Sequence, residues 1–181
     1  MSKKALILID IQNDYFENGA LELVNPIPAS QNASKLLQRF REQDFPVVHI
    51  QHISPAGAPF FIEGTKGAEI HYNVKPNDGE KVFIKQFPNS FRETGLLEYL
   101  RSDGITDLVI VGMMTHMCID ATTRAAFDYG FSCTVIGDAC ATMDLEIKDE
   151  KVKALDVHNA NLAALEFFYA KIQNTEEYLS A

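Results

Sequence analysis

The sequence predicts a three-layer α/β/α fold around a mostly parallel, six-stranded, doubly wound sheet. Three observations carry this. Short β-rich apolar runs alternate with segments of helical period along the chain. The runs are near-continuous in apolar residues, as in strands buried on both faces, rather than alternating. At 181 residues without a linker, repeat or low-complexity segment, residues 1–181 are expected to form one domain with one core.

The strand candidates are residues 5–9, 46–50, 81–84, 107–111 and 132–136, with a weaker sixth at 167–172. Between them lie four helix candidates. Residues 30–43 place Ala33, Leu36, Leu37 and Phe40 on one face, and residues 91–101 do the same with Leu96, Leu97 and Leu100. Residues 117–129 stop at Gly130, a helix-ending residue, and residues 148–165 carry Val152, Leu155, Leu162 and Leu165. Residues 54–80 are the longest irregular stretch, rich in Pro and Gly, and a stretch of that length is usually functional or a partner contact. Phe60, Phe61 and Ile62 within it are candidates for a lid or an interface. Residues 174–181 read as a tail.

Composition excludes several classes. Sixteen basic against twenty-five acidic side chains give a net charge of -9, which argues against a nucleic acid partner. No run approaches the roughly 18 apolar residues of a membrane span, and the apolar run after Lys4 ends at Asp10, too short for a signal peptide. Cys118, Cys133 and Cys140 are odd in number and show no C-x-x-C spacing, so a reduced, cytoplasmic setting is expected.

The informative pattern is where the runs stop. The first ends at Asp10, the third at Lys85, and the fourth at Gly112, six residues before Cys118 at a helix start. Ligands of open α/β sheets sit outside the carboxyl ends of the strands, so these side chains fall on the binding edge. A helix N-terminus and a nearby lysine lower a thiol's pKa, and a carboxylate beside the thiol can take its proton. The turn from Gly112 to Cys118 would point backbone N–H groups inward as an oxyanion hole.

These residues resemble the isochorismatase-like cysteine hydrolases. Asp10-Ile11-Gln12-Asn13-Asp14-Tyr15-Phe16 is similar to the family's D-x-Q-N-D-[FY] motif. Ile84-Lys85 with Asn89-Ser90-Phe91 is similar to its lysine motif. Gly112-Met113-Met114-Thr115-His116-Met117-Cys118-Ile119-Asp120 is similar to its G-x-x-T-x-x-C-V-D motif, with Ile119 at the Val position. The resemblance implies that Cys118 attacks a carbonyl carbon, Asp10 moves the proton, and Lys85 supports the pair. It implies a cis peptide between Met113 and Met114, with the Met114 and Cys118 N–H groups forming the oxyanion hole. It also suggests Gln12, Tyr15, Phe16, Asn89 and Phe91 as substrate contacts, and it implies a homo-oligomer, dimer or tetramer.

The metal-dependent nicotinamidases of the family carry an Asp-x-His motif after the second strand, where this chain has His49-Ile50-Gln51-His52. In a regular strand His49 and His52 point to opposite faces and cannot share one ion. No metal and no cofactor are therefore expected, and His52 and His116 join the candidate substrate contacts. The expected activity is hydrolysis of an amide or ureido C–N bond in a small molecule. The alternatives are an isochorismatase-type vinyl ether hydrolase or a catalytically idle, oligomeric relative. A P-loop, a D-x-D pair after the first strand, a G-x-G-x-x-G turn and a G-x-S-x-G elbow are all missing, which disfavours phosphoryl transfer, dinucleotide binding and serine hydrolysis.

Overall fold

The computed structural model describes residues 3–181. Its elements run β1 (Lys4–Ile9), α1 (Pro26–Glu42), β2 (Val47–His52), β3 (Lys81–Lys85), α2 (Leu96–Ser102), β4 (Asp107–Met113), α3 (Asp120–Asp128) and β5 (Ser132–Ala141). A hairpin of β6 (Leu145–Ile147) and β7 (Glu150–Val152) follows, then α4 (Ala154–Phe168), β8 (Lys171–Gln173) and α5 (Thr175–Ser180). Six strands form one sheet in the order β3-β2-β1-β4-β5-β8, and every neighbouring pair is parallel.

Period two sorts the side chains of β1. Leu6 and Leu8 meet Leu36, Leu37 and Phe40 of α1 on one face. Ala5, Ile7 and Ile9 join Leu100 of α2, Ala126 of α3 and Leu165 of α4 on the other. Each such Leu or Ile contributes about 1.5–3 kcal/mol on burial. The strand order reverses at β1, between β2 and β4, so the crevice of a doubly wound sheet opens at the carboxyl ends of β1 and β4.

Several boundaries differ from those expected. Helix α1 begins at Pro26 rather than Ser30, because prolines in a first turn lack only N–H groups that would be unpaired anyway. The helix expected from 148 begins at Ala154, since residues 145–152 form a hairpin. Its two turn residues, Lys148 and Asp149, both have positive φ (47° and 66°), the type I′ pattern, but they lack the Asn-Gly signature that marks such turns in a sequence. The sixth strand is only Lys171–Gln173. Phe167 and Phe168, expected at its start, end α4 and are 89% and 64% exposed. The tail from Asn174 is a docked helix, α5, opened by a capping box of Asn174 and Glu177, with Tyr178 stacked on Phe40.

A charged cluster ties α1 to the sheet. Glu80 accepts from Arg41 Nε at 2.7 Å and from the Asn77 N–H at 2.9 Å, and its Oε2 meets His49 Nε2 at 2.9 Å. Burial pushes the Glu80 carboxyl up, but Arg41, Asn77 and His49 outweigh it and hold it at about 2. A carboxyl lowered in the folded state stabilises the fold above its unfolded value, near 4.5, and that stability is lost as pH falls toward 2. Glu80→Gln is therefore expected to cost about 2 kcal/mol at pH 7. In urea unfolding, the gap to the unsubstituted protein should narrow steadily between pH 4.5 and pH 3.

Candidate active site

Three strand ends bring the candidate triad together. Asp10 follows β1 with φ at 51°, in the left-handed region, and its N–H bonds the Ile50 carbonyl of the neighbouring strand. Lys85 is the last residue of β3, paired with His52 at the end of β2. Cys118 lies in a single π-helical turn, Thr115–Ile119, between β4 and α3. The chain enters that turn through Gly112, whose φ is 131°; a Cβ there would collide with the Ile9 carbonyl, so only glycine lets β4 lie this close to β1. The Met113–Met114 peptide is cis.

The Lys85 ammonium is the centre of the site. It lies 2.6 Å from Asp10 Oδ2 and 3.2 Å from Cys118 Sγ, and both charged side chains have no solvent exposure. No other nitrogen or oxygen donor reaches the Asp10 carboxylate among the described residues. Cys118 itself is 5% exposed. Burial would lower the Lys85 pKa, but Asp10 and Cys118 reverse the sign and hold it above its ordinary value, so the lysine stays charged.

The surroundings of the thiol differ from the sequence expectation. Burial, then the Asp10 carboxylate, push Cys118 well above the ordinary thiol range, and Lys85 only partly offsets them. Burial and the Asp10 carboxylate thus both oppose ionisation of the thiol, and the Lys85 charge favours it. The helix start and the lysine were legible in the sequence, but the depth of burial was not.

Asp10, His52 and Cys118 place one donor atom each within 4.8 Å of one another, a spacing that could hold a metal ion. All three also touch the Lys85 ammonium, since His52 Nδ1 is 3.2 Å from Nζ. The cation among these three donors is the protein's own.

The expected substrate contacts divide. Tyr15 stays beside the triad: burial first, and then Asp10 and Cys118, push its hydroxyl up, and its ring meets Phe61 edge-on at 4.7 Å. The Gln12 amide bonds the protein, donating to the His52 and Ala68 carbonyls at 2.8 Å and accepting from the His52 N–H at 2.7 Å. The Phe91 ring packs against Tyr129 and Phe131 in the core beside α3. Asn89 Oδ1 accepts from the Phe91 N–H at 2.9 Å in the loop after Lys85. Phe16 stacks on His71 at 3.7 Å, and His116 pairs through Nδ1 with Thr142 Oγ1 at 2.6 Å.

The irregular stretch folds back onto this edge. Phe61, with no solvent exposure and φ of 57°, packs against Tyr15, His52 and Phe60. Asp14 anchors it by accepting from the Phe61 N–H at 2.6 Å. Two residues of the motif after β1, Asp14 and Tyr15, thus hold Phe61 in place, a role that the order of residues alone does not reveal. His158 of α4, unmarked by any motif, pairs with Thr115 Oγ1 of the Thr115–Ile119 turn at 2.9 Å.

Residues 4–166 match the family model described as the isochorismatase domain. Over 176 residues the chain is 51% identical to the isochorismatase family protein YddQ of Bacillus subtilis, covering 97% of this chain and 98% of that one. A solved isochorismatase-type structure from Oleispira antarctica superposes with a TM-score of 0.96 at 48% identity, covering 99% and 97% of the two chains. The maleamate amidohydrolase of Pseudomonas putida is 27% identical over 190 residues, covering 97% of this chain and 84% of that protein.

Proposed function

The chain belongs to the isochorismatase family of hydrolases, and from that premise we propose that it cleaves an amide or ureido C–N bond of a small molecule through a Cys118 thioester. The observation that carries this reading is the buried ammonium that touches a carboxylate at 2.6 Å and a thiol at 3.2 Å. The amidohydrolase among the relatives supports the same bond class.

Asp10 takes the thiol proton as Cys118 Sγ attacks the carbonyl carbon. The oxyanion forms against the N–H groups of Met114 and Cys118; the Met114 N–H has no acceptor among the described residues. The tetrahedral centre collapses, the C–N bond breaks, and the proton on Asp10 leaves with the amine or ammonia. Water then gives a proton to Asp10 and attacks the thioester, and the carboxylic or carbamic acid departs as the thiol regains its proton. Lys85 stays charged throughout and balances the carboxylate when the site is closed. Its ammonium also steadies whatever negative charge gathers on sulfur.

Under this reading residues 1–181 act as one hydrolase domain without a metal or cofactor. The protein works in the cytoplasm as a dimer or tetramer, in which the exposed Leu155, Phe167 and Phe168 of α4 would be covered. A panel of small primary amides and ureido compounds, scored by ammonia release, tests the reading against Cys118→Ala. The expected result is release from at least one compound and a fall of about 10³-fold or more in the variant. Release that survives in Cys118→Ala would remove the thioester.

A further inference from the structure

A buried ammonium has three N–H donors, and each one left without an acceptor is costly. In Lys85 two of them face Asp10 and Cys118. The third faces His52 Nδ1 at 3.2 Å. We propose that His52 is a positioning residue, the third acceptor that holds the Lys85 ammonium between the base and the nucleophile. The inference rests on the triad reading above and goes beyond it.

Two features of the chain serve this contact. Gln12 clamps the His52 backbone from both sides, accepting from its N–H at 2.7 Å and donating to its carbonyl at 2.8 Å, so the end of β2 is fixed to the segment after β1. Phe61 packs its ring 5.8 Å from the imidazole and is itself tied to Asp14. The imidazole is therefore held in place by residues of the motif that carries Asp10. Burial and then the Lys85 charge lower the His52 pKa, against the opposing pull of Asp10, so the ring is neutral near pH 7 and able to accept. Acceptance at Nδ1 fixes the tautomer: Nε2 carries the proton, with no acceptor among the described residues.

The geometry explains why an imidazole suits this position. A carboxylate here would add a second negative charge to the buried site and hold the ammonium away from sulfur. An apolar residue would leave one N–H bare, and the flexible lysine would turn toward solvent or toward Asp10 alone. In either case Cys118 loses the charge that partly offsets its burial.

The test reads Cys118 alkylation by iodoacetamide, peptide by peptide, between pH 7 and pH 10, and it needs no substrate. It compares the unsubstituted protein with His52→Phe, His52→Asn, Lys85→Met and the double variant His52→Phe/Lys85→Met. His52→Phe keeps the ring and removes the acceptor, whereas His52→Asn keeps an acceptor near the Nδ1 position. The expected result is a slowing of about tenfold at pH 8 in His52→Phe, no further slowing when it is added to Lys85→Met, and near-normal rates in His52→Asn. The proposal is overturned if Lys85→Met slows alkylation and His52→Phe does not. It is equally overturned if His52→Phe slows the reaction as much on the Lys85→Met background, which would mark an effect on access. If Lys85→Met itself leaves the rate unchanged, the triad reading fails first, and that result cannot be confused with the other two.

Discussion

Asparagine at position 10 is expected to stop turnover while making Cys118 easier to alkylate. The two effects have one cause. The Asp10 carboxylate is the base that the reaction needs, and it is also a negative charge that holds the thiol proton on sulfur. Replacing it by a neutral amide removes the base, which should cost about 10²- to 10⁴-fold in turnover. The same change removes the negative charge 2.6 Å from the Lys85 ammonium and leaves the sulfur, 3.2 Å away, as the one group beside it that can become an anion. The thiolate then becomes the natural counter-ion of a buried lysine, and alkylation near pH 7.5 should quicken by about tenfold or more. Cys133 and Cys140 serve as internal standards, because burial pushes both up to about 12 and neither touches the triad. A slower reaction at Cys118 in Asp10→Asn would mean that the carboxylate does not oppose ionisation, and the base assignment would go with it.

The sequence suggests a thiol lowered by a helix N-terminus and a lysine, whereas burial and Asp10 push it up, and the difference shows what a sequence can carry. The sheet was legible because five runs end where a strand must end, and the nearness of Asp10, Lys85 and Cys118 was legible because two of them sit at such ends and the third in the turn after another. Both follow from local patterns: apolar continuity and a polar residue at the break. The state of the thiol depends instead on its burial and on the groups around it, and Asp10, Tyr15 and Lys85 lie far from Cys118 in the chain. The same holds for Gln12. Its place in a motif suggested a ligand contact, but two backbone groups of β2 claim its amide, and only the pairing of β1 with β2 brings them there. The β6–β7 hairpin escaped notice for a local reason, a left-handed turn made by Lys148 and Asp149 without a glycine.

Lys85→Met carries the largest expected effect on stability, and its logic is that of a buried pair broken on one side. Asp10 and Lys85 are both fully enclosed, and no other nitrogen or oxygen donor reaches the carboxylate among the described residues. Methionine fills much of the lysine's volume, so packing changes little, but a carboxylate is left in the interior without a counter-charge. Breaking such a pair typically costs about 3–5 kcal/mol. Removing both charges should cost less than removing one, because the penalty arises from the charge left behind. Asp10→Asn/Lys85→Met is therefore expected to recover about half or more of the stability that Lys85→Met loses, although it lacks the same interaction. Urea unfolding of the four proteins at pH 7 measures this directly, with equal m-values as the check that one transition is being compared. A Lys85→Met protein as stable as the unsubstituted one would mean that water or a rearranged side chain reaches the carboxylate, and that the enclosed ion pair on which the mechanism depends is absent. A double variant no better than Lys85→Met would locate the loss in the lysine's packing instead of its charge. Recovery in the double variant, with turnover still abolished, would separate what the pair does for the fold from what it does for the reaction: its attraction offsets its own burial, and its geometry places a base and a cation on one sulfur.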